Sequence, residues 1–414
     1  MKRSVLAPFS VRSYRYQWPA DLVASWAFEM EVLILGWFVL VESGSVFLLV
    51  VYGSLQFVGA TVSPFIGVLG DRWGYKTLFL VMRMVFVLIS LVLLTLAAAD
   101  ALTPLLVISL AIVIGVLRPC DLTIRFALIG QALPSNQLVG ALGISRITVD
   151  SARMVGALAG VGLFAAYGLV VAYVMITTLY VICLALSFGV AGADRQLLAK
   201  RTPSSPLADL GHGFRYVRHK PELVGTAGLA FWINVFAYPI GVGLLPFVAN
   251  NVYEAPQAML GWLGASYAFG SLLGSLAVSS NRIAMGSGRL MIMSAIIWFC
   301  LGIVFAFNEV SLIGIGLLTL MGFSQSLCVT PLVAVMLQST EPAYRGRVMG
   351  IRILAILGLP LGLMLSGPLI EHLGFGVTIT LYSVVGLLGA ISMIRIWRHE
   401  LWLKTAPANQ PQVN

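Results

Sequence analysis

Three groups of charged residues lie inside strongly apolar stretches, and their spacing limits the chemistry they can do. Arg118, Asp121 and Arg125 follow one another at intervals of three and four. Arg146, Asp150 and Arg153 repeat the pattern at intervals of four and three. On a helix these spacings put each triad on one face, with the aspartate between its arginines. The reversed order lets the triads meet if their helices are antiparallel. The third group is Glu29 and Glu31, in WAFEMEVLILGWF. Two residues apart is about 200° around a helix, so they cannot both face one cavity. Carboxylates and guanidinium groups at membrane depth are costly and face a cavity or one another. Their chemistry is proton binding, attraction of an anionic substrate group, or bracing of helices by permanent ion pairs.

The elements that hold these groups must cross a bilayer. Of 414 residues, 59% are hydrophobic and 10% are charged, with a mean hydropathy of +0.97. Soluble proteins carry about 25% charged residues, so disordered and cytosolic classes are excluded. Uncharged runs at 154–193, 223–253, 255–281 and 310–340 exceed the roughly 20 residues that a crossing needs. Apolar runs and breakers predict twelve helices, near 18–41, 45–69, 77–98, 102–126, 138–166, 169–192, 223–248, 257–279, 290–307, 310–334, 346–370 and 376–397. The fold class is therefore an all-α polytopic membrane protein.

Charge placement orients it. With both termini in the cytoplasm, nineteen of the 25 Lys and Arg residues fall in tails or inner loops, and six (Arg83, Arg118, Arg125, Arg146, Arg153, Arg352) fall within spans. The outer turns carry Glu42, Asp100, Glu254, Glu309 and Glu371 instead. The formal charge of +9 thus reflects topology rather than a nucleic-acid partner. No cleaved signal peptide is expected at the basic start, MKRSVLAPFSVRSYR. Cys120, Cys183, Cys300 and Cys328 sit in apolar segments without metal or disulfide spacing, and no cofactor is expected.

The chain divides into 1–192, a linker at 193–222, and 223–414 with a cytoplasmic tail. The linker has Pro203 and Pro206, six basic residues, and Leu207, Leu210, Phe214 and Val217 at helical spacing, which predicts a short helix at the membrane surface. The two halves look like repeats. A shift of 206 places Gly156, Leu163 and Gly168 on Gly362, Leu369 and Gly374.

Between the second and third spans the chain reads GVLGDRWGYKTL, with Gly67, Asp71, Arg72, Gly74 and Lys76. This resembles the signature loop of the major facilitator superfamily, with Tyr75 as a departure at a usually basic position. The segments RPCDLTIRFALIGQALPSNQLVGALGISR, ARMVGALAGVGLFAAYG and DLGHGFRYVRHKPEL are similar to the enterobactin-exporter and macrolide-efflux branch, although the proline usual after Gly156 is Ala157 here. The resemblance implies two six-helix bundles rocking about a midplane site, in a multi-pass protein of the bacterial inner membrane. It also implies gating by the Asp71 loop, with Arg118 and Asp121 coupled to that loop. Arg352 lies near the repeat position of Arg146 and is read as part of the inner gate.

The expected partners are a small-molecule substrate, protons and the bilayer, with no nucleic acid and a monomeric state. Glu29, about 15 Å into its span and without a fixed partner, is ranked first as proton site, with Glu31 behind it. A packing pair of these glutamates with fifth-span arginines is the alternative. Asp150 is a further proton candidate, although two flanking arginines oppose its protonation. Arg146 and Arg153 are substrate-anion candidates. Arg83 is read as snorkelling or touching lipid headgroups. In the second half Trp232, Asn234, Tyr238, Trp262, Tyr267, Ser324, Gln325 and Ser326 suit an amphiphilic organic molecule. The function expected is export of such a compound, drug-like or a siderophore, by proton antiport. Proton-coupled uptake of an organic anion, and a non-transport role such as receptor or lipid scramblase, are the alternatives. An enzyme is disfavoured, since His212, His219, His372 and His399 lie in loops or tails.

Overall fold

The computed structural model describes residues 7–62, 66, 69–70, 73–191, 206–279, 285–341 and 344–398. Gly67, Asp71 and Arg72 of the signature loop lie outside the described residues, as does the first part of the linker. Most described residues are helical, with no strand among them. Among the described residues, eight helices are long and apolar enough to cross a bilayer.

Two compact units comprise residues 1–204 with 254–265, and 205–253 with 266–414. In the first, α1 (Arg12–Ser43) is followed by α2 (Val46–Leu55), α3 (Tyr75–Ala98), α4 (Pro104–Ala132), α5 (Ser135–Val155) and α6 (Val161–Ser187). Local chemistry sets the ends. Gly44 takes a left-handed φ of 63° and its N–H closes α1 on the Leu40 carbonyl, 2.8 Å away. Ser45 then accepts from the Leu48 amide to start α2, and Thr103 does the same for Leu106 with Pro104 in the first helical turn of α4.

A surface helix, α7 (Pro206–Arg218), precedes α8 (Pro221–Phe236) and α9 (Tyr238–Val242). The remainder is α10 (Gln257–Ser279), α11 (Ser287–Ala306), α12 (Ser311–Gln338), α13 (Arg345–Ala355), α14 (Gly358–Leu373) and α15 (Phe375–Ile396). The seventh span, expected as one helix over 223–248, is broken at Ala237, ahead of Pro239, which has no amide hydrogen to give. On α7 the expected apolar stripe is split. Val217 is buried but Phe214 is 54% exposed, while the side chains of Leu207 and Leu210 lie outside the described set.

The shift of 206 has a structural counterpart. Gly168 and Gly374 share the same extended left-handed geometry, with φ of 81° in both. A side chain there would be strained. Gly156 and Gly160 flank a π-helical turn between α5 and α6, and both lie flat on α1. A Cβ on Gly156 would collide with Glu29 Cβ and the Met30 backbone, and one on Gly160 with Met30. In the second unit a Cβ on Gly362 would strike the backbone of Val235. Val235 is the residue 206 positions after Glu29.

Candidate functional site

In the first unit the charged residues form three groups along α1. At the lowest, Asp21 meets Arg83 of α3 and Arg125 of α4, and Asp121 of α4 completes the set. Arg83 Nη2 is 2.9 Å from Asp21 Oδ1 and 3.2 Å from Asp121 Oδ1. Arg125 Nε is 2.7 Å from Asp121 Oδ2, one helical turn away, and 3.2 Å from Asp21 Oδ1. Arg125 also donates to Ser25 Oγ at 3.1 Å, and Gln17 donates to the Arg125 carbonyl at 3.0 Å. Two acids and two bases make this quartet formally neutral, which is the condition under which buried charge is tolerated.

The quartet changes the reading of Arg83. It is 1% exposed and held between two aspartates with its guanidinium 4.5 Å from the Phe79 ring, so it neither snorkels nor reaches headgroups. Asp21 was not singled out from sequence, because it sits only three residues into the predicted first span. Its signal is its spacing to Glu29: eight residues, on the order of 12 Å further along one helix.

About two turns above Asp21, Glu29 Oε1 receives Arg118 Nη2 at 2.9 Å, with Arg153 Nε 3.8 Å away. The Arg118 guanidinium carbon lies over Phe28, 3.2 Å from the ring centroid. Glu29 is therefore not the partnerless carboxylate expected. The glycines at 156 and 160 let the Arg153-bearing segment approach α1 closely enough to place that guanidinium beside it. One acid against two bases leaves this group formally +1. Within the first triad Asp121 pairs with Arg125, and also with Arg83 from α3, while Arg118 turns to Glu29, where Arg153 of the second triad also reaches. Asp150 is 2% exposed, and the Arg146 side chain lies outside the described set.

Glu31, on the other side of α1, is 3% exposed. Tyr180 of α6 donates to its Oε2 at 3.0 Å, and no described residue hydrogen-bonds its Oε1. No Lys or Arg among the described residues forms an ion pair with it. Tyr180 is itself stacked on Phe86 at 5.7 Å. Tyr52 and Tyr173, both buried, lie within electrostatic reach of the same carboxyl. The three tyrosines are a signal that the sequence held and the reading missed.

The second unit has no comparable charge cluster among the described residues. Gln325 Nε2 donates to Tyr238 Oη at 2.8 Å, and the Tyr238 ring meets Trp298 edge-on at 5.1 Å. Gln325 is 2% exposed with Oε1 unpartnered among the described residues. Trp232 instead bonds the Gly386 carbonyl at 3.1 Å, and Asn234 caps back onto the Ala230 carbonyl at 2.8 Å. Tyr267 and Ser324 are buried, Ser326 bonds Ser271, and Trp262 is largely exposed. Gly74 and Lys76 begin α3, and Arg352 is half-buried on α13.

No group of three or more His, Cys, Asp or Glu residues suited to a metal occurs among the described residues. What the first unit holds is a set of buried or half-buried, mutually paired charges among apolar helices.

The comparisons agree with that frame. A multidrug efflux pump, Tap, of Mycolicibacterium fortuitum is 28% identical over 222 residues, 53% of this chain and 53% of the pump. The match thus spans about half the length of that relative. Among solved structures, the nucleoside transporter NupG superposes with a TM-score of 0.69 at 15% identity, over 92% of this chain and 98% of the other. The POT family transporter PepTSo gives 0.72 at 12% identity, over 94% and 98%. These likenesses establish the major facilitator fold. The transmembrane secretion effector family matches residues 3–410, nearly the whole chain, and the protein belongs to that family of membrane transporters.

Proposed function

We propose that the chain exports small amphiphilic organic compounds across the bacterial inner membrane by proton antiport, with Glu31 carrying the proton. The observation that carries this reading is the contrast between the two glutamates of α1. Glu29 is matched by two guanidinium groups, whereas Glu31 is buried with a tyrosine hydroxyl and no cation among the described residues. An ionised carboxylate so placed is expensive, and the protonated acid is not. Glu31 is therefore the better placed of the two to take up a proton, which reverses the order expected from sequence.

Charge counting gives the coupling. The quartet contributes zero and the Glu29 group +1, so ionised Glu31 makes these groups neutral and protonated Glu31 leaves them positive. Arg146 and Asp150 add one of each sign. Proton entry thus disfavours a cationic substrate, and substrate entry favours proton release. The Asp71 loop and Arg352 act as gates, the termini lie in the cytoplasm, and the monomer is the working unit.

The test is a pH-gradient assay in everted membrane vesicles challenged with lipophilic drugs, siderophores and small organic acids. Collapse of the gradient by drugs or siderophores, lost in Glu31→Gln, is the expected result. A second reading rests on the positive balance around Glu29: uptake of an organic anion together with a proton. Collapse by organic acids alone would replace export with that reading.

A further inference from the structure

The surface helix α7 is fixed to the protein by one face and unpaired on the other. Val217 is buried, and a Cβ on Gly213 would sit 3.1 Å from Arg347 Cβ of α13. Tyr216 is the hub of the attachment. Its ring stacks on Tyr344 at 4.2 Å with an 8° tilt. Its hydroxyl donates to Glu341 Oε1 at 3.2 Å and accepts from the Glu341 amide at 3.1 Å and from Lys220 Nζ at 2.6 Å. Lys220 is further engaged by the Ser339 carbonyl at 3.3 Å and by Glu341 Oε1 at 3.2 Å.

That clasp uses Lys220 and leaves the other cations of the segment uncompensated. Arg215 and Arg218 are exposed, and neither pairs with an acidic group among the described residues. Phe214 stands 54% exposed beside them. Positions 214, 215 and 218 differ by one, three and four residues, so the ring and both guanidinium groups share one patch on a helix held in place. His212, midway along α7, and His219, just past its end, are also exposed. An exposed phenyl ring beside two guanidinium groups with no acidic partner among the described residues is poorly served by water alone. A bilayer interface serves both, with the ring at the acyl boundary and the guanidinium forks on phosphate oxygens.

We propose that α7 is a binding site for the headgroup of an anionic phospholipid, with Arg215 and Arg218 on the phosphate and Phe214 inserted beside it. The choice of an anionic over a zwitterionic lipid follows from charge. Two guanidinium groups face the site with no carboxylate among the described residues to offset them, and the sequence adds Arg195, Lys200 and Arg201 just before the helix. The clasp pre-orients the patch, so little ordering is required on binding.

The experiment is native mass spectrometry of the full chain in micelles containing equimolar phosphatidylglycerol and phosphatidylcholine. Wild type should retain phosphatidylglycerol in preference. Arg215→Gln with Arg218→Gln should lower that preference by about fivefold per arginine, on the usual strength of a basic residue at an anionic surface. The Lys versions should retain most of it. Arg395→Gln with Arg398→Gln, an equal loss of exposed charge elsewhere, should leave it unchanged. Equal retention of both lipids by wild type would overturn the site. So would an unaltered ratio in the Gln variant, or an equal fall in the Arg395 and Arg398 control. The readout is bound lipid, so it stands apart from whether the chain exports anything.

Discussion

Glu31 and Tyr180 are joined by a 3.0 Å hydrogen bond between α1 and α6, at a carboxyl that no described cation neutralises. Two residues earlier on α1, Glu29 is held by Arg118 and Arg153. The half-turn offset between these glutamates gives one helix two carboxyls in different surroundings, one beside two guanidinium groups and one on a tyrosine hydroxyl.

Glu31→Gln, which mimics the protonated acid, should keep the fold and bind substrate but lose gradient-driven transport. Glu29→Gln should behave differently, because it strips two guanidinium groups of their carboxylate. Since Arg118 and Arg153 are each about a third exposed at the side chain, the expected cost is about 1–3 kcal/mol, below that of a fully buried pair. Thermal denaturation of the purified variants separates the two: a large drop for Glu29→Gln and little change for Glu31→Gln.

Arg83→Met leaves Asp21 and Asp121 sharing Arg125 in a buried setting. Breaking a buried pair by removing one partner costs about 3–5 kcal/mol, and the variant should be among the least stable single changes in the first unit. Arg83→Met combined with Asp21→Asn should recover part of that loss. An unaffected melting temperature in Arg83→Met would contradict the quartet.

Gly156→Leu should displace α1, since even a Cβ there meets Glu29 and the Met30 backbone. Gly162→Ala is the control, with nothing within 4 Å of its added carbon. Overpacking costs about 1–3 kcal/mol, so Gly156→Leu should melt lower while Gly162→Ala matches wild type or exceeds it.

The clasp at α7 should be insensitive to physiological pH. The Tyr216 hydroxyl and the Glu341 carboxylate raise the Lys220 pKa above its ordinary value. A raised amine contributes stability that is present below its unfolded pKa of about 10.4 and is lost only as pH rises through the folded value. Hydrogen exchange at the Glu341 amide, corrected for the intrinsic rate, should show constant protection between about pH 6 and 9. Tyr216→Phe should abolish that protection, because it removes the acceptor.

Much of the fold was legible because bilayer crossing imposes length, apolarity and charge placement on the sequence. The glycine repeat was legible too. Gly156 and Gly362 face Glu29 and Val235, and those contacts keep the 206-residue shift on both sides. At that matched contact the first unit carries a glutamate and the second a valine. Partner choice was less legible. Helical spacing groups Arg118 with Asp121, yet the arginine turns to Glu29 on another helix, 89 residues away. Arg83 looked like a snorkelling residue because its partners, Asp21 and Asp121, come from two other helices. Glu31 was ranked behind Glu29 because spacing along one helix reveals which side a residue faces but not what waits there.

Substrate-induced proton release tests the central claim most directly. The purified chain is held in lightly buffered detergent solution, and a lipophilic cation such as tetraphenylphosphonium is added while pH is followed. Wild type and Glu29→Gln should release protons on binding, and Glu31→Gln should bind without release. Undiminished release from Glu31→Gln would show that the proton is carried elsewhere and would contradict the account.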